Sequence, residues 1–133
     1  MNPPSPFHAT LLVALGGGLG AALRFHAGRF VGALAGVNAP FPWATFAINF
    51  AGSLAMGLLA GWLARAGTGG EAWRLLLGVG VLGGFTTFSA FSLEMALMIE
   101  KGLLGLTAGY ATLSVAMGVI GLFTGLAVMR SAA

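Results

Sequence analysis

Apolar residues dominate four long stretches of the chain, which are separated by short runs of glycine, proline and charged residues. The stretches cover roughly residues 11–35, 43–64, 72–99 and 103–129. About 20 apolar residues suffice for a helix to cross the hydrocarbon core of a bilayer. A transmembrane β-barrel would instead require strands of about 10 residues with alternating polarity. The pattern predicts an all-α membrane protein, with four transmembrane helices forming a single domain over residues 1–133.

The third stretch is too long for a regular helix that crosses the membrane upright. Its roughly 28 residues would extend about 42 Å, whereas the hydrocarbon core is about 30 Å thick. Gly83 and Gly84 weaken the helix near its middle, and several hydroxyl residues follow them. Irregular backbone at this depth is tolerated only inside protein or beside a water-filled cavity. We therefore expect a break near residues 83–87 at an ion or substrate site, where free carbonyls could bind a cation; a tilted helix, or a kinked one whose hydroxyls satisfy the backbone, is the alternative.

The second stretch carries three polar residues on one helical face. Asn49 lies six residues after Trp43, about 9 Å into the span, where an unpaired amide would be costly. Thr45 and Ser53 lie four residues before and after Asn49, so the three side chains share a face. A hydrogen bond between helices would account for a lone Asn. A row of polar groups favours a route through the membrane, and both interpretations stay open here.

Aromatic and hydroxyl residues recur at helical spacing in the third and fourth stretches. Phe88 and Phe91 are three residues apart, and core packing is their ordinary role. The edge of an aromatic ring is nevertheless positive, so two edges beside an amide and hydroxyls offer weak donors to a small anion. Thr107, Tyr110 and Ser114 share a face of the fourth stretch. Routine hydrogen bonding to backbone or to another helix is the alternative for these hydroxyls.

Two charged residues fall inside the apolar stretches. Arg24 lies 13 residues beyond Leu11, about 20 Å along the first helix, so it either snorkels to the interface or pairs within the bundle. Glu94 is the only carboxylate well inside an apolar stretch, and protonation, pairing and a place at an anion's exit are all open for it.

Composition narrows the class of protein further. Hydrophobic residues make up 58% of the chain and charged residues only 7%, which is too few to form a water-facing surface. The six basic residues are scattered, so the net charge of +3 does not indicate nucleic-acid binding. The sequence contains no cysteine, no close carboxylate pair and no metal-binding His spacing, so we expect no enzyme.

Small residues and charge balance both bear on assembly. Many of the 23 glycines recur at four-residue spacing, which lets helices approach closely within or between subunits. Three basic residues would fall near one side of the membrane and two near the other, a weak bias that permits both orientations. We expect a homo-oligomer, and an antiparallel dimer is open on the charges alone.

Three sequence motifs together resemble the Fluc/CrcB fluoride channel family. They are GGLGAALR at residues 17–24, NFAGS at residues 49–53 and GGFTTFSAFSLE at residues 83–94. The first two are built from small residues and are weak, whereas the third is highly specific. The resemblance implies a passive channel in the bacterial plasma or inner membrane that lowers toxic cytoplasmic fluoride. It also implies an antiparallel, dual-topology homodimer with two fluoride pathways and a central structural sodium ion.

The resemblance also implies roles for individual residues. The backbone carbonyls of Gly83 and Thr86 would hold the sodium ion, while Arg24 and Glu94 would act in the pathway, gating or pairing. The residues that would line the fluoride route are Asn49, Phe88, Phe91, Thr45, Ser89, Tyr110 and Ser114.

One departure from the family pattern concerns this route. Ala90 stands where the family commonly has Thr or Ser, so one hydroxyl is missing from the polar track. Two other classes remain as alternatives. A proton-coupled exporter of organic cations would require a deep acidic residue, for which only Glu94 is available. A structural subunit would use its glycines and polar residues only to pack helices.

Overall fold

A computed structural model describes residues 4–36, 38–66 and 70–131, and over these ranges the protein is helical without any β-strand. Helix α1 spans Pro6–Ala35 and helix α2 spans Trp43–Ala66. Ser5 caps α1 by accepting a hydrogen bond from the backbone N–H of His8 at 3.4 Å. At the other end Gly36 adopts a positive φ of 91°, a conformation that suits glycine.

The third apolar stretch consists of two helices. Helix α3 joins the α-helical turn Glu71–Trp73, the π-helical segment Arg74–Leu82 and the α-helical turn Gly83–Phe85. Thr86 and Thr87 are extended, with φ/ψ of −78°/159° and −150°/119°. Helix α4 then spans Phe88–Glu100. Gly83 and Gly84 are themselves helical, so the two threonines are the residues that leave helical geometry.

The last helix, α5, spans Leu104–Ser131 and follows α4 after a short turn. Gly102 makes this turn with a φ of 74°. Four helical segments of 30, 24, 30 and 28 residues are long and apolar enough to cross a membrane within the described residues. The prediction of four membrane-spanning segments is thereby confirmed, with bounds that agree to within a few residues except at the longer start of α1.

Glycine faces join α1 to α3 at very short range. A Cβ atom added to Gly80 would lie 2.9 Å from the Cα of Gly16, and one added to Gly20 would overlap the carbonyl oxygen of Val81. A Cβ on Gly84 would lie 3.1 Å from the Cα of Gly17. Any larger residue would force these backbones apart, so the predicted glycine faces of these two helices pack within one subunit.

A second set of glycines joins α2 to α5. A Cβ on Gly57 would overlap the carbonyl oxygen of Leu122, and one on Gly125 would lie 2.6 Å from the backbone nitrogen of Leu58. Gly32 on α1 continues the four-residue spacing but is not closely packed, because a Cβ added to it would meet nothing within 4 Å among the described residues. The four-residue glycine pattern therefore marks both packed and unpartnered faces.

The buried core lies where α4 meets α5. Phe91, Met98 and Tyr110 form it, and Tyr110 has no exposed surface. The ring of Phe91 lies 5.0 Å from that of Tyr110, and the ring of Phe41 meets Tyr110 edge-on at 5.2 Å. This aromatic cluster fixes α4 against α5 and so fixes the position of the residues that follow the break.

Candidate functional site

The centre of the site is a pairing between the side-chain amide of Asn49 and the backbone of Thr87. The Nδ2 group of Asn49 donates to the carbonyl oxygen of Thr87 at 3.0 Å, and the N–H of Thr87 donates to Oδ1 of Asn49 at 2.9 Å. Both bonds are possible because the backbone of Thr87 is extended, which points its N–H and C=O to the same side. The side-chain amide of Asn49 on α2 therefore supplies hydrogen-bond partners for both backbone polar groups of Thr87, which lies between α3 and α4.

The side chains of both threonines at the break are also used locally. The hydroxyl of Thr87 accepts from the N–H of Ala90 at 3.2 Å, which makes it the N-cap of α4. It also lies 3.3 Å from the hydroxyl of Ser89. The hydroxyl of Thr86 donates to the carbonyl of Leu82 at 2.9 Å, so its proton is used within the end of α3.

A cavity of about 280 Å³ lies against this break. Its lining combines amide and hydroxyl groups with apolar side chains from α2, α4 and α5. The lining residues are Asn49, Gly52, Ser53, Met56, Thr86, Thr87, Phe88 and Leu122. A Cβ at Gly52 would overlap the methyl group of Thr86, so glycine at this position lets α2 lie directly against the extended backbone.

Phe88 and Phe91 are neighbours, but they lie in different environments. Their ring centroids are 5.7 Å apart with the planes inclined by 43°. Phe91 is 7% exposed and belongs to the core, whereas Phe88 is 78% exposed and borders the cavity. Of these two rings, that of Phe88 is therefore the one that lies largely open beside Asn49.

Glu94 accepts hydrogen bonds from two hydroxyl residues that lie on different helices, Thr45 on α2 and Tyr110 on α5. The hydroxyl of Thr45 donates to one carboxylate oxygen of Glu94 at 2.6 Å, and that of Tyr110 donates to the other at 2.7 Å. Thr45 is buried and Tyr110 fully so. Both carboxylate oxygens of Glu94 thus accept a hydrogen bond from a hydroxyl, one on α2 and one on α5. The cluster connects α2, α4 and α5 one helical turn from Asn49.

The remaining predicted site residues are more isolated. The hydroxyl of Ser114 is buried without a hydrogen-bond partner in the described residues. Arg24 is half-buried on α1 and forms no ion pair within the described ranges. Gly83 is exposed at the end of α3. Among the described residues there is no cluster of three or more His, Cys, Asp or Glu side chains that could hold a metal ion.

Thr87 was not among the residues predicted from sequence, although it makes the most specific contacts of the site. Its hydrogen bonds to Asn49 link residues 38 positions apart, so no local pattern reveals them. One local signal could have indicated Thr87. A threonine directly before an apolar helix, here the helix that begins at Phe88, is typical of an N-cap.

Within the described residues, four segments of membrane-spanning length, one of them interrupted, and an amide and hydroxyls beside a cavity define a small multi-pass membrane protein with a polar site between its helices. The family model described as "CrcB-like protein, Camphor Resistance (CrcB)" matches residues 11–126. The chain belongs to this family.

Curated relatives extend the similarity over nearly the whole sequence. A protein of Novosphingobium aromaticivorans named fluoride-specific ion channel FluC is 68% identical over 125 residues, covering 94% of this chain and 98% of its own length. A protein of the same name from Erythrobacter litoralis is 50% identical over 133 residues, covering 98% of each protein. Fluoride-specific ion channel FluC 2 of Nitrobacter hamburgensis is 54% identical over 120 residues, covering 90% of this chain and 95% of its own. With its four spans, the protein is a multi-pass bacterial membrane protein.

Proposed function

We propose that this protein is a subunit of a fluoride-selective channel that passively exports fluoride from the cytoplasm and so lowers its toxicity. The observation that carries the proposal is the amide of Asn49, held beside the open ring of Phe88 at the edge of a cavity. The names of the curated relatives agree with it. A channel of this kind is not an enzyme, since fluoride crosses unchanged.

The chemistry of the site suits a small, tightly hydrated anion. The Nδ2 group of Asn49 carries two N–H bonds, of which the pairing with Thr87 uses one. The edges of Phe88 and Phe91 would supply further weak donors. Several weak donors replace part of the hydration shell without trapping the ion, which conduction requires. The hydroxyls proposed to extend the route are those of Thr45, Ser89, Tyr110 and Ser114.

Glu94 and Arg24 are proposed to act at the ends of this route. Glu94 accepts hydrogen bonds from Thr45 and Tyr110, so its carboxylate holds two hydroxyls that an approaching anion would also seek. Exchange of these bonds between Glu94 and fluoride provides a means of gating. Arg24 would attract anions from solution, because a half-buried guanidinium is always charged. The family speaks against the alternative of a proton-coupled cation exporter.

The functional unit is proposed to be an antiparallel, dual-topology homodimer with two pathways. The support is that Phe88, a large ring beside the polar cavity, is 78% exposed in a single subunit. A second copy would cover this ring and enclose the route. The glycine face around Gly32 is likewise unpartnered among the described residues, which leaves it for lipid or for the partner.

A structural sodium ion is proposed at the dimer centre, held by the backbone carbonyls of Gly83 and Thr86. The donor set fits, because sodium is a hard cation and carbonyl oxygens are the ligands that such ions prefer. The fit also rests on the geometry of the break, since the helix end leaves carbonyls without intrahelical partners. Sodium would be coordinated by these carbonyls from both copies and would so hold the two copies together.

The direct test is fluoride efflux from liposomes that contain the purified protein. With fluoride inside and a potassium ionophore to balance charge, we expect rapid release at a fluoride electrode and no comparable release of chloride. Protein-free liposomes are the control. Release no faster than in the control would refute the proposed function.

A further inference from the structure

At the break, two backbone N–H groups do not donate to the carbonyls with which they would pair in a continuous helix. In such a helix the N–H of Thr87 would donate to Gly83 and that of Ala90 to Thr86. Instead, the N–H of Thr87 donates to Oδ1 of Asn49 at 2.9 Å, and that of Ala90 donates to the hydroxyl of Thr87 at 3.2 Å. The carbonyls of Gly83 and Thr86 lose these two donors as a result.

Thr87 takes part in both diversions, once through its backbone and once through its side chain. It is also buried, with 9% of its surface exposed, so its polar groups require partners. Loss of the Thr87 hydroxyl would free the N–H of Ala90, and loss of the pairing with Asn49 would free the N–H of Thr87. Each freed N–H group can then compete for the carbonyl four residues earlier. Thr87 therefore keeps the carbonyls of Gly83 and Thr86 free of their helical hydrogen-bond donors, although neither carbonyl belongs to Thr87.

The same pairing determines which way the Asn49 amide faces. If the amide were reversed, its NH₂ group would meet the N–H of Thr87 and its oxygen would meet the carbonyl of Thr87. Both contacts would be repulsive, so the hydrogen-bond network permits one orientation. The oxygen is held toward the N–H of Thr87, and the second N–H of Nδ2 stays outside the pair. Thr87 therefore fixes the donor that the anion route requires.

We propose that Thr87 is a positioning residue that couples the anion route to the sodium site, an inference that rests on the proposed function. A single hydrogen bond, from the N–H of Thr87 to Asn49, both orients the amide and releases the carbonyl of Gly83. Removal of the acceptor on Asn49 should therefore weaken sodium binding, although Asn49 is not a sodium ligand. Removal of the Thr87 hydroxyl should act in the same direction through the carbonyl of Thr86.

The first experiment compares two substitutions of Asn49 that both remove its N–H donors. Asn49→Asp keeps an oxygen that can accept from the N–H of Thr87, with its second oxygen facing the carbonyl of Thr87, whereas Asn49→Leu has a similar shape but no acceptor. The purified proteins are heated in sodium chloride and in potassium chloride at equal concentrations, because a bound ion raises the midpoint of unfolding. We expect the sodium-dependent shift to persist in Asn49→Asp and to vanish in Asn49→Leu. Equal sodium shifts in the two variants would overturn the coupling.

The second experiment uses Thr87 itself and avoids a change of charge. Thr87→Ser keeps the hydroxyl that accepts from Ala90, and Thr87→Val keeps the shape without it. The half-saturating sodium concentration, read from the midpoint of unfolding, should rise at least tenfold in Thr87→Val and be restored in Thr87→Ser. Wild-type affinity in Thr87→Val, or a wild-type protein whose stability is indifferent to sodium, would overturn the coupling.

Failure of this inference is distinguishable from failure of the proposed function. Sodium binding is measured without fluoride, whereas the channel proposal depends on fluoride efflux by the wild-type protein. If the wild-type protein releases fluoride but the sodium-dependent shifts of the variants differ from those expected, the coupling is overturned and the channel proposal stands. The expected sodium pattern in a protein without efflux would refute the channel, and with it the coupling to an anion route, while showing that the sodium site depends on Asn49 and Thr87.

Discussion

Replacing Asn49 by Asp is the sharpest test of the proposed anion route. The substitution exchanges the Nδ2 donor, 3.0 Å from the carbonyl of Thr87, for a carboxylate oxygen. A fluoride ion about 4 Å from that carboxylate would be repelled by about 4 kcal/mol at an effective dielectric constant of about 20. Since about 1.4 kcal/mol corresponds to a factor of ten, occupancy of the site should fall roughly a thousandfold.

The assay is fluoride efflux from liposomes at equal protein content, with size-exclusion chromatography to verify that the variant assembles as the wild type does. Asn38→Asp, which makes the same chemical change in the loop between α1 and α2, is the matched control and should conduct normally. Asn49→Asp should lose at least 99% of the wild-type rate. An assembled Asn49→Asp protein with more than a tenth of that rate would refute the placement of Asn49 in the route.

Three further substitutions test neighbouring parts of the structure. Phe88→Ile should reduce electrode-measured fluoride efflux strongly, since an aliphatic side chain has no positive ring edge; unchanged efflux would remove this ring from the route. Tyr110→Phe should cost about 1–3 kcal/mol of stability, because it leaves an oxygen of Glu94 without its 2.7 Å hydrogen bond, measured by urea unfolding in micelles; an unchanged midpoint would show that this bond contributes little. Gly20→Leu should abolish folded protein in fluorescence-detected size exclusion, whereas Gly32→Leu, which meets open space, should be tolerated; equal yields would contradict the close packing of α1 on α3.

The membrane spans could be predicted from sequence because hydropathy over some 20 residues is a local property. The weak point of the third span was also visible in the composition of residues 83–87. Composition could not identify which of these residues is extended, however. That depends on Asn49, which supplies a partner for the backbone of Thr87 from another helix. The glycines mark a region where the helix is weak, and the tertiary hydrogen bonds select the threonines.

The side-chain pairings of the site show the same limit. Helical spacing placed Thr45 with Asn49, and Tyr110 with Ser114, because it relates residues on one helix only. The structure instead joins Thr45 and Tyr110 through Glu94, across three helices. Spacing also placed Phe88 and Phe91 on one face, yet the approach of α5 buries only the second of them. Interhelical geometry is absent from a single-helix pattern, so these contacts required the fold.

The glycine contacts between α1 and α3 and between α2 and α5 have a consequence for biosynthesis. Helices that emerge consecutively from the ribosome are not the ones whose glycine backbones meet. When α1 and α2 have entered the membrane, both of their glycine faces still lack a partner. The first close-packed pair can form only after α3 is made, and the second only after α5. Close packing is therefore late in synthesis, and the glycine face of α2 remains against lipid until the last helix arrives.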